Sequence, residues 1–97
     1  MSLQGILSKA IKDARSTGYT QQVNLQNGLK IRVRVQATLL QFCLYRKDQN
    51  PSELEGKTVA KHAGLAEGTY SLSWSHSNDG KRQFLVIDQT MPGLVQP

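Results

Sequence analysis

Residues 19–45 read YTQQVNLQNGLKIRVRVQATLLQFCLY, and the alternation within them decides the fold. Tyr19, Gln21, Val23 and Leu25 share one parity, and after Gln26, Asn27 and Gly28 the apolar residues resume as Leu29, Ile31, Val33 and Val35. A period of two is the pattern of strands with one face in a core. Loop length follows from matching the faces, because a slip of one residue carries a strand's whole apolar set to the other side. A two-residue Asn27–Gly28 loop sets Leu25 against Lys30 and Val23 against Arg32. A three-residue loop with Gly28 left-handed sets Leu25 against Leu29, Val23 against Ile31 and Tyr19 against Val35. The three-residue hairpin is the expectation.

The third strand places Leu40, Phe42 and Leu44 inward, with Gln41, Cys43 and Tyr45 outward. Gln36, Ala37 and Thr38 contain no turn-forming residue. An Ala37–Thr38 connection nevertheless keeps the faces consistent, pairing Val33 with Phe42 and Ile31 with Leu44. On the other face it brings Lys30, Arg32 and Arg34 against Tyr45, Cys43 and Gln41.

Toward the amino end, Leu3, Ile6, Leu7, Ala10, Ile11 and Ala14 recur at steps of three and four, the stripe of an amphipathic helix. Ser2 suits its N-cap and Gly18 its stop, and Lys9, Lys12 and Arg15 then face solvent. Toward the carboxyl end, Asn50 and Pro51 read as the cap and first position of a second helix, with Glu53 at capping-box spacing. That helix runs to Ala63 with a thin apolar face of Leu54, Val59 and Ala63. Gly56 and Ala60 allow close packing, and Gly64 with Leu65 reads as a Schellman ending.

A second hairpin follows, with Tyr70, Leu72, Trp74 and His76 alternating with Ser71, Ser73, Ser75 and Ser77 before Asn78, Asp79 and Gly80. Its register is open: a three-residue loop pairs Trp74 with Phe84, and a two-residue Asp79–Gly80 loop pairs Trp74 with Leu85. The unbroken apolar run from Phe84 to Ile87 predicts a central strand covered on both faces. The expected architecture is α+β, an antiparallel sheet of about five strands in the order α-β-β-β-α-β-β, with two helices packed on one face. Residues 1–90 form one domain, and 91–97 an irregular tail.

Helix, three strands and a helix containing Gly56, Lys57, Ala60, Lys61 and Ala63 resemble the order of a double-stranded RNA-binding domain over residues 2–64. Such domains carry a basic cluster at the start of the second helix. Here that helix opens with Glu53 and Glu55, and a further hairpin follows, so the family's function is not carried over.

With 38% hydrophobic and 20% charged residues the chain is too apolar for a disordered one. No apolar run approaches the roughly 18 residues of a membrane span. The lack of a signal-peptide pattern and the single Cys43 predict a cytoplasmic protein. Twelve basic against seven acidic residues give a net charge of +5, which favours polyanionic partners.

Catalytic patterns are missing from the sequence. His62, His76 and Cys43 lack paired metal-ligand spacing, the serines of residues 71–77 fit one strand face rather than a nucleophile elbow, and no phosphate-cradling glycine loop occurs. The carboxylates are scattered. No metal, cofactor or enzyme activity is expected.

Lys30, Arg32 and Arg34 stand out, on one sheet face at steps of about 6.6 Å, with Tyr45 and Gln41 alongside. Cations for phosphates beside an aromatic ring for bases is how sheet surfaces hold single-stranded nucleic acid. Long cations also decorate the wet face of ordinary antiparallel sheets. The expected function is a small basic non-enzymatic module binding nucleic acid through Lys30, Arg32, Arg34 and Tyr45. The alternative is a protein-interaction or homo-oligomeric assembly module, with Cys43, Tyr45 and the serine strand at the contact.

Overall fold

The computed structural model describes residues 2–37 and 39–90. Their elements run α1 (Leu3–Thr17), β1 (Gln21–Asn24), β2 (Lys30–Gln36), β3 (Leu39–Tyr45), α2 (Glu53–His62), β4 (Ser71–His76) and β5 (Gln83–Thr90). The strands form one antiparallel sheet in the spatial order β1-β2-β3-β5-β4, so the last strand enters between β3 and β4. Both helices lie on the same face, α1 over β1 and β2 and α2 over β5.

The apolar parity of every strand points toward the helices. Val23, Ile31, Val33, Leu40, Phe42, Leu44, Leu85 and Ile87 are buried there with Leu7, Ala10 and Ala14 of α1 and Val59 and Ala60 of α2. Leu3, Ile6 and Ile11 pack at the rim, as the stripe in α1 requires. The Ser2 hydroxyl accepts from the Gly5 N–H, and Gly18, at φ 76°, donates to the Ala14 carbonyl to stop the helix.

The first hairpin has the three-residue loop. Val23 pairs with Ile31, Leu25 N–H donates to the Leu29 carbonyl, and Gly28 sits at φ 86°. Tyr19 does not pair with Val35. The left-handed turn at Gly18 redirects the chain, pairing begins at Gln21, and Tyr19 is 76% exposed. Between β2 and β3 the register is the expected one, Val33 with Phe42 and Ile31 with Leu44, ending at Gln36 with Leu39. Ala37 is in a turn, and Thr38 lies outside the described residues, as does the expected tail at 91–97.

The start of α2 differs from expectation. Ser52, not Asn50, is the N-cap, and it forms a reciprocal capping box with Glu55. Asn50 is used elsewhere: its side chain accepts the Gln83 N–H and donates to the Gln83 side chain, tying the β3–α2 loop to β5. The buried face of α2 is made of Gly56, Val59 and Ala60, while Leu54 is 73% exposed. Leu54 stands two residues before Gly56, on the far side of the helix. The Schellman ending is complete, with Leu65 N–H donating to Ala60 and Gly64 N–H to Lys61.

In the second hairpin Trp74 pairs with Leu85 and Leu72 with Ile87. Ser77 N–H bonds the Arg82 carbonyl and Gly80 N–H the Ser77 carbonyl, so residues 78–81 form the loop. β5 is internal in the sheet, but only one of its faces is covered. Leu85 and Ile87 are fully buried under α2, whereas Phe84 and Val86 are half-buried on the opposite face.

Candidate functional site

The face away from the helices is open, and register fixes what stands on it. One row across the sheet reads Gln22, Arg32, Cys43, Val86, Ser73; a second passes through Arg34, Gln41, Asp88 and Ser71. In a third, Asn24, Lys30 and Tyr45 lead to Phe84, whose ring meets that of Tyr45 edge-on at 5.9 Å, and to Ser75. Strand alternation therefore brings Lys30, Arg32, Arg34 and Tyr45 together, as the sequence implied.

Arg32 and Arg34 are exposed and Lys30 half-buried. Among the described residues none of the three forms an ion pair, whereas Lys9, Lys57 and Arg46 pair with Asp13, Glu53 and Glu55. Asp88, the acid on this face, is taken up by the Gln41 amide at 2.9 Å. The amide is neutral, so the charge of Asp88 remains on this face, two strands away from Arg34. Between Thr20, Gln22, Arg32, Arg34, Gln41 and Cys43 the surface sinks into an open depression of about 510 Å³.

Tyr45 is less free than the sequence suggested. The Arg32 guanidinium lies 5.1 Å from its ring centroid, Phe84 abuts its edge, and its hydroxyl donates to the Gln22 side chain at 3.3 Å. The cation and the ring thus form a cation–π pair on the open face. Cys43 lies opposite Arg32; burial pushes its thiol pKa up, and the charge of Arg32 partly offsets this.

Two features were not foreseen from sequence. Phe84 joins Tyr45 only because β5 lies beside β3, a nonlocal neighbourhood without a local signal. Beyond the same end of the sheet, Lys47, Lys81 and Arg82 gather with Asp48 and Asn50 around a second polar depression of about 360 Å³. Here Arg46 is committed to both carboxylate oxygens of Glu55. Lys81 and Arg82 adjoin in the sequence, but only the fold sets them beside Lys47.

His62 and His76 are exposed in different elements, and among the described residues no three His, Cys, Asp or Glu side chains cluster to hold a metal. Nor, among them, is any helix long and apolar enough to cross a membrane. Compared with protein-family models, with curated proteins and with solved structures, the chain finds no match, and the resemblance to the double-stranded RNA-binding order gains no support from them.

Proposed function

We propose that the open sheet face binds single-stranded nucleic acid and that the protein is a non-enzymatic binding module. The observation that carries this reading is the stripe of Lys30, Arg32 and Arg34, held on one face by strand alternation with no carboxylate partner among the described residues. Phosphates would lie along the stripe, bases against the Arg32–Tyr45 unit and Phe84. A continuing strand would reach Lys47, Lys81 and Arg82 at the end of the sheet.

Fluorescence anisotropy with a labelled oligonucleotide tests it. Binding at low salt should weaken at least about tenfold in the Arg32→Glu plus Arg34→Glu variant, since two phosphate contacts become repulsions. No detectable binding at low salt, or unchanged affinity in a folded double variant, rejects the proposal.

A further inference from the structure

Strand β4 ends the sheet on one side, with β5 as its one neighbour. The Ser77 N–H donates to the Arg82 carbonyl. Bonded and non-bonded pairs alternate along an antiparallel ladder. Ser75, Ser73 and Ser71 therefore bond β5, and the N–H and C=O groups of Leu72, Trp74 and His76 point outward from the sheet edge. Among the described residues nothing pairs with them.

Exposed edges are ordinarily blunted by charge, proline or a bulge. This one has none of these: the segment Ser71–Ser77 reads SLSWSHS, without a charged residue or proline, and its pairing to β5 is unbroken. The other edge, β1, is only four residues long. Trp74, at the centre of the segment, is 45% exposed.

The segment is also nearly symmetric about Trp74. A second copy laid antiparallel on a twofold axis there sets Trp74 against its own counterpart, Ser73 against Ser75, Ser71 against Ser77, and Leu72 against His76. The outward backbone groups occupy the same parity in both copies, so each meets a partner. We infer that β4 is an interface at which two copies of this chain pair edge to edge, joining two five-stranded sheets into one. The symmetry of the segment is what selects a second copy over a foreign strand.

Such an axis stands perpendicular to the sheet, so both open faces look the same way. The two Lys30–Arg34 stripes then lie seven strand spacings apart, about 34 Å. The inference is independent of nucleic-acid binding, which a monomer could still perform.

Sedimentation of the full chain from about 1 μM to about 1 mM, the range of weak to moderate pairings, provides the test. The mass should double with concentration, and the emission of the single tryptophan should shift to the red on dilution along the same curve. Trp74→Lys places two cations opposite each other and should raise the dissociation constant at least about tenfold. His76→Pro removes an outward N–H without touching the ladder to β5 and should act in the same direction, serving if Trp74→Lys does not fold. A monomer at every concentration, whether the edge is bare or occupied by residues 91–97, overturns the inference. So does a dimer with unaltered affinity in the folded variants, or emission that does not follow mass.

Discussion

Gly56 shows how much of this fold turns on one missing side chain. An added Cβ at this position would fall 2.4 Å from a terminal methyl of Leu85 and 3.6 Å from one of Leu72. Leu85 is fully buried and has little room to turn away. The requirement is for close approach of α2 to β5, not for unusual backbone angles. Gly56→Val adds bulk with no large gain in helix propensity, and overpacking should lower stability by about 1–3 kcal/mol, measured by denaturant unfolding. A variant as stable as the wild type would mean that α2 can lift from the sheet without loss. The sequence permitted this close contact through Gly56 and Ala60, yet it drew attention to Leu54, the largest apolar residue of the helix. Size misled there, because the buried face is made of Gly56, Val59 and Ala60, with Ala63 partly buried beyond them, and the bulk in the contact comes from the sheet.

Among the elements, the start of α2 combines a local and a nonlocal device. The Glu55 carboxylate closes the capping box and accepts from both terminal guanidinium nitrogens of Arg46, which follows β3. The Arg46 hydrogen bonds hold the Glu55 pKa below the ordinary carboxylate value, against a smaller upward push from burial, and the Ser52 N–H adds to the lowering. A group with a depressed folded pKa stabilises the fold above its unfolded pKa, and that stabilisation is lost as pH falls through the folded value. Glu55→Gln should therefore cost about 1–3 kcal/mol near neutrality, and the gap from wild type should close as pH drops from about 5 to below the usual carboxylate value near 4.3. Thermal unfolding of both proteins across that range checks this. Asp79 is also lowered, by Ser77 and the Lys81 N–H, but it titrates in both proteins and cancels in the difference. A gap that stays constant with pH would show that the ion pair contributes nothing. The sequence pointed to Asn50 as the cap, and Ser52 takes that position. Asn50 loses because Gln83, 33 residues on, claims its side chain, a tie no local pattern displays. The first hairpin was legible for the opposite reason: its turn, parity and glycine lie within a dozen residues and agree.

At the scale of the whole molecule, charge and topology act together. If three cations of the open face each neutralise one phosphate, the logarithm of affinity should fall with the logarithm of salt at a slope of about −2. Titrations at several salt concentrations give that slope. A steeper one would assign further contacts to Lys47, Lys81 and Arg82, and a flat one would remove phosphate recognition altogether. The basic stripe was readable because β2 and β3 are consecutive and their pairing is local. The Tyr45–Phe84 contact and the bare β4 edge were not, since both follow from strand order.

That strand order also bears on how the chain reaches its fold. β5 is made last yet lies between two strands made earlier. Until Gln83–Thr90 emerges during synthesis, β3 has an unfilled side, β4 has nowhere to attach, and α2 lacks the Leu85 surface it rests on. The amino-terminal half can collapse early around its local hairpins, whereas the rest must wait for one long-range docking step. A nascent chain stopped short of β5 therefore presents the open side of β3 to its surroundings, and completion of that single strand is what closes it.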